Sequence, residues 1–104
     1  MKGRWQAILL AAGIMAAGSF GSARAADIAE GKRLYRVHCE SCHGERGQPE
    51  MPGAANFSKG EGLMKTDAQL RTHMTNGGRM CPSFAGVIMD RGMFDLALFL
   101  RTLF

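Results

Sequence analysis

Two cysteines three residues apart, with a histidine directly after the second, constrain this chain more than any other feature: Cys39-Glu40-Ser41-Cys42-His43. Cys-x-x-Cys-His is the attachment signature of a c-type haem. Cysteines three apart on a helical turn project to the same side, so their thiols can span one haem edge. Each thiol is expected to add to one vinyl group, giving two thioethers from Cys39 and Cys42. His43, one position on, turns under the ring, where its imidazole binds the iron on the proximal face. A zinc site of Cys39, Cys42, His43 and Cys81 would require adjacent residues to ligate one tetrahedral ion, an awkward demand. A thioredoxin-like dithiol needs a βαβ setting, whereas the residues before Cys39 read as helix. A Cys39–Cys42 disulfide leaves His43 unexplained. Haem accounts for all three residues.

Residues 1–25 read as a cleaved secretory signal peptide. Lys2 and Arg4 supply the positive start, and Ala7 to Ala17 form an apolar core too short for a comfortable membrane span. Ala23-Arg24-Ala25 has the small-x-small form of a cleavage site, so the mature chain is expected to begin at Ala26. The competing reading is an uncleaved anchor. The absence of a cysteine at the cleavage point argues against a lipoprotein, and the absence of an Arg-Arg pair argues for export unfolded, with haem added afterwards. The expected location is the periplasm, with no stable membrane span once the signal is removed.

Cleavage changes the charge argument. Three of the 13 basic residues, Lys2, Arg4 and Arg24, precede the cut and all 9 acids follow it, so the mature chain carries ten bases against nine acids. Two haem propionates would bring the net charge to about −1, and nucleic-acid binding has no support. Residues 26–104 suffice for one domain with a thin core. A buried, tethered haem can supply apolar bulk and cross-link the chain, so the protein without haem is expected to fold poorly.

Three helices are expected, with no strand and no internal repeat. The first starts after Asp27, an N-cap with Glu30 in capping-box spacing, and runs to about His38. Gly31 and Tyr35 share one of its faces, where glycine lets another helix approach. A long glycine-rich loop from Gly44 to about Lys65 needs a reason to exist, and wrapping a haem edge is one. The second helix starts at Thr66 or Asp67 and stops at Asn76-Gly77-Gly78, with Leu70, Met74 and His73 as inward candidates. The third runs from Asp90 to about Thr102. Met93, Leu96, Leu100 and Leu103 form its apolar stripe, broadened by Phe94, Leu98 and Phe99. The fold class is therefore all-α.

In this order the elements resemble a class I bacterial monohaem cytochrome c over nearly all of residues 27–104. The resemblance rests on a helix leading into Cys39-x-x-Cys42-His43-Gly44, a middle helix ending Asn76-Gly77, then Cys81-Pro82-Ser83-Phe84-Ala85-Gly86, and a last helix ending Phe99-Leu100-Arg101-Thr102-Leu103. It implies that the first and last helices cross, with Gly31 and Phe99 at the crossing and covalent haem in the core. In that family a loop proline offers its carbonyl to the proximal histidine. Here the matching stretch is Ala54-Ala55-Asn56-Phe57 and Pro52 is displaced, so a backbone carbonyl of that stretch is the expected acceptor for His43.

The family places a methionine before the proline as sixth iron ligand. Alignment on Asn76, Gly77, Pro82 and Phe84 puts Cys81 there, with Met80 one residue earlier. Either Cys81 binds as a thiolate or the loop shifts and Met80 binds, with His73 or an open position as further readings. A thioether raises the reduction potential, whereas an anionic thiolate favours ferric iron and lowers it.

The leading expectation is an electron carrier, not an enzyme, that exchanges single electrons with a redox donor and acceptor. Lys59, Lys65, Arg71 and Arg79 are candidates for a basic rim toward an acidic partner. The alternatives are a haem subunit of a sulfur-oxidising or other redox complex, and a ligand sensor or haem enzyme with a displaceable sixth ligand. His38 and His73 are the only further histidines, and no other catalytic constellation accompanies them.

Overall fold

Asp27 opens the fold as its position before an amphipathic run requires: its carboxylate accepts the Glu30 N–H at 3.1 Å, satisfying one orphan donor of the first turn. The computed structural model describes Gly13 and residues 26–104. The segment read as a signal peptide, and with it the boundary at residue 25, lies outside the described residues but for that glycine. Four α-helices follow: α1 (Ile28–His38), α2 (Glu40–His43), α3 (Asp67–Asn76) and α4 (Asp90–Leu100), with a 3-10 turn at Phe57–Lys59 between α2 and α3. There is no strand among the described residues, and none of their helices is long and apolar enough to cross a membrane. The α3 start carries a full capping box. Gln69 N–H donates to Thr66 Oγ1 at 3.1 Å, and Thr66 N–H donates to Gln69 Oε1 at 3.0 Å.

The frame is the crossing of α1 and α4. Gly31 makes it possible, because a Cβ there would lie 2.7 Å from the Asp95 carbonyl carbon and 2.8 Å from Phe99 Cβ. One turn on, the Tyr35 and Phe99 rings meet with centroids 5.3 Å apart, an aromatic pair of favourable tilted geometry. Asp95, only 3% exposed on the buried side of α4, accepts the Asp27 N–H at 2.7 Å. That bond ties the entrance of α1 to the middle of α4. Asp95→Ala strands the N–H and empties the site, and is expected to cost about 1–3 kcal/mol, read as a lower denaturant midpoint of the holoprotein. Asp95→Asn keeps an acceptor and should cost less.

The core joins α1, α3 and α4 through Leu34, Tyr35, Leu70, Met74, Leu96 and Leu100, with Phe84 and Ile88 from the segment before α4. It also takes Leu63, 0% exposed, from the long loop. Arg101 holds that loop down: its guanidinium donates to the Leu63 carbonyl, to the Lys65 carbonyl at 2.6 Å and to the Asp67 carboxylate at 3.0 Å. The α4 stripe is narrower than its sequence suggests. Phe94 and Leu98 are 44% and 37% exposed, on the outer face, and the Arg71 guanidinium lies 5.7 Å from the Phe94 ring centroid. Such a cation over an aromatic face is attracted by its quadrupole, which gives Phe94 a role outside the core.

Candidate functional site

Where α1 ends, the chain turns once more before entering the loop, and that turn builds one wall of a cavity of about 320 Å3. Cys39 N–H closes α1 by donating to the Tyr35 carbonyl at 2.8 Å, and the Cys39 carbonyl then accepts from Cys42 N–H at 3.2 Å and His43 N–H at 2.9 Å. The turn so formed puts both cysteines and His43 on the cavity wall.

His43 is held twice. Its Nδ1 lies 3.0 Å from the Ala55 carbonyl oxygen, which requires Nδ1 to carry the proton and leaves Nε2 with its lone pair for a metal. Its ring stacks on Phe57, centroids 4.1 Å apart and planes 14° from parallel. The Ala54–Phe57 stretch therefore provides the carbonyl acceptor that the displaced Pro52 does not, and Ala55 is the residue that does it. Sequence reasoning reached the stretch but missed the individual carbonyl and the Phe57 stack, because every residue there carries a carbonyl and only the loop path selects one.

The other wall is the turn after α3. Gly78 N–H donates to the Cys81 carbonyl at 2.8 Å, and Phe84 N–H to the Met74 carbonyl at 3.1 Å. Gly77, at φ 74°, lets the chain fold back on itself, since a Cβ there would sit 2.7 Å from both Cys81 O and Ser83 N. Met80 and Cys81 both line the cavity. Cys81 is half-buried and packs against the core. Met80 is 60% exposed and reaches toward the 51–54 loop, where a Cβ on Gly53 would lie 3.2 Å from its sulfur.

Burial pushes the Cys39 thiol up to about 12, with further contributions from the neighbouring Cys81 and Cys42 thiols. The Cys81 thiol is also raised, first by burial and then by Cys42. The three sulfurs thus sense one another around one apolar space, where loss of a proton is costly. No disulfide joins any of the three cysteines. Among the described residues no group of three or more His, Cys, Asp or Glu gathers as a metal ion alone would need, so the four-ligand zinc arrangement is not formed. At the rim, Lys65, His73 and Arg79 line the cavity, whereas Lys59 and Arg71 do not. His73 is exposed, and His38 meets Phe84 edge-on at 5.5 Å.

This donor set fits a haem. Two thiols share a wall with an imidazole whose Nε2 is open, sulfur donors stand on the second wall, apolar side chains such as Leu70, Met74, Phe84 and Leu100 lie between, and cations at the rim suit carboxylates. No curated protein matches the chain in sequence. Among solved structures it is similar to the KustC0563 c-type cytochrome, with a TM-score of 0.63 and 25% identity over 70% of this chain and 95% of that one. Residues 26–100 match the family described as cytochrome C oxidase, cbb3-type, subunit III. The chain belongs to that family of c-type cytochrome domains, and its cofactor is covalently bound haem c.

Proposed function

We propose that this cytochrome is a periplasmic monohaem carrier moving single electrons between a donor and an acceptor redox protein. Haem-based electron transfer is the chemistry of the family. Export of the mature chain from Ala26 is supported by the signal-like residues 1–25 and by the need to attach haem outside the cytoplasm. In this reading Cys39 and Cys42 hold the haem as thioethers, His43 is the proximal ligand, and Lys65 and Arg79 meet the propionates. The observation that carries it is the His43 imidazole, oriented by the Ala55 carbonyl at 3.0 Å on the same wall as both thiols. When bound, the haem supplies a one-electron ferric–ferrous couple. The chain's own part is to fix the ligands, exclude water with apolar walls and set the potential through the sixth donor.

For that donor the reading favours Cys81 over Met80. Cys81 packs against the core, whereas Met80 is mostly solvent-exposed at the mouth. A thiolate there stabilises ferric iron and gives a lower potential than a methionine-ligated relative has. The test is absorption and electron paramagnetic resonance of the ferric protein with Cys81→Ala and Met80→Ala. The expected result is a changed low-spin spectrum and a raised potential in Cys81→Ala alone. A change in Met80→Ala alone would transfer the role to the methionine.

A further inference from the structure

A second groove, of about 480 Å3, is lined by Lys32, Tyr35, Arg36, Glu45, Arg46, Phe99, Thr102 and Leu103 and shares no lining residue with the haem cavity. Lys32 and Arg36 stand four apart on one face of α1, so their head groups are neighbours. Arg46 joins them from the turn after α2. These are three exposed cations against the single carboxylate of Glu45. None of the three forms an ion pair among the described residues, whereas Arg33 pairs with Glu30 and Arg101 with Asp67. The excess is local, because the mature chain holds ten bases against nine acids.

Beneath the groove, Tyr35, only 1% exposed, leads inward as a buried ring. Tyr35 lies 6.4 Å, centroid to centroid, from Phe57, and Phe57 stacks on His43 at 4.1 Å. The Tyr35 hydroxyl donates to the Gly44 carbonyl at 2.5 Å, on the residue that follows His43. A molecule seated in the groove is thus one line of contacting rings from the imidazole that the preceding reading places on iron.

We propose that this groove docks an acidic redox protein, whose carboxylates meet Lys32, Arg36 and Arg46 over the Tyr35–Phe57–His43 line. The proposal rests on the electron-carrier reading and names the partner chemistry for it. Charge complementarity of this kind steers encounter and shows up in the association rate and its salt dependence. An anionic membrane or a polyanion would use the charges but has no use for an aromatic floor running to the haem ligand.

Two measurements on the holoprotein test it. In the first, hexacyanochromate(III), a redox-inert paramagnetic anion, is titrated in and amide line broadening is mapped. Broadening should centre on Lys32, Arg36, Arg46 and Thr102; broadening confined to the rim at Lys65 and Arg79 overturns the proposal. In the second, the ferrous protein is mixed with an oxidised acidic blue-copper protein. One electron leaves the haem iron, which becomes ferric, and reduces Cu(II) to Cu(I). At low ionic strength the double change Lys32→Glu, Arg36→Glu should slow the reaction by about ten-fold, and salt should erase most of the difference. An unchanged rate overturns the docking site, as does tight retention of the wild-type protein on phosphatidylglycerol vesicles, which assigns the patch to a membrane. The ferric spectrum of His43→Ala keeps the two readings apart, since a failure of the His43 assignment appears as a spectrum that does not change, whereas a failure of the docking site appears only in the salt-dependent rate.

Discussion

Gly31→Ala is expected to destabilise the holoprotein by about 3 kcal/mol, at the upper end of what overpacking costs. The sign is opposite to the usual one, because alanine in a helix interior normally stabilises by about 1 kcal/mol over glycine. What reverses it is the nature of the neighbours. The added methyl group would stand 2.7 Å from a backbone carbon of Asp95 and 2.8 Å from Phe99 Cβ, and neither can rotate away. The helices must separate, and with them go the Tyr35–Phe99 contact and the bond from Asp27 to Asp95. Gly92→Ala is the control. The nearest atoms there are the Ile88 Cγ2 and Leu34 Cδ1 methyls at 2.9 and 3.0 Å, ends of side chains that can shift, so its cost should be far smaller. Guanidinium unfolding of both variants decides the matter; equal midpoints would mean that the crossing is not held as closely as the backbone indicates.

Cys39→Ala combined with Cys42→Ala should turn the haem from a covalent into an extractable group. On a denaturing gel the double variant is expected to lose its haem stain completely, and acidified acetone should draw the pigment into the organic phase. Each single variant should keep one thioether and retain the stain, with the pyridine haemochrome band moved to longer wavelength by the vinyl group left intact. Persistence of stain in the double variant would place an attachment point on Cys81. Loss of the tether also loosens the fold, since an apolar cavity of about 320 Å3 without its filling costs the contacts of every side chain around it. Reduced accumulation of the double variant is therefore expected alongside the loss of stain.

Much of this arrangement was legible in the residues themselves. Helix signals are local: Asp27 and Thr66 cap, Gly77 stops, and Leu96 and Leu100 repeat at helical spacing, so α1, α3 and α4 fall within a residue or two of their expected bounds. The attachment motif is equally local. What escaped was non-local. Nothing in the order of residues says that Arg101 fastens the loop at Leu63 and Lys65, or that a carboxylate in the middle of the α4 stripe is buried to receive Asp27 N–H. Phe94 and Leu98 read as core because hydrophobicity alone does not tell which flank of a helix a neighbour covers. The basic groove was invisible for a related reason, as Lys32 and Arg36 meet Arg46 only after α2 has turned the chain.

The bond from His43 to Ala55 has an evolutionary consequence. Its acceptor is a main-chain carbonyl, which every amino acid possesses, so no replacement at position 55 can delete it. Drift in the identity of that residue should leave the electronic character of the imidazole untouched. Inheritance of the bond depends on the path of the segment, which is set one residue on, where Asn56 N–H is captured by the Glu61 carboxylate at 2.8 Å and the Asn56 carbonyl receives the amides of Lys59 and Glu61 at 3.1 Å each. Position 61, remote from His43 in sequence and exposed to solvent, is thus a place where a lineage could change the setting of the imidazole while every residue of the Cys39–His43 motif stays the same.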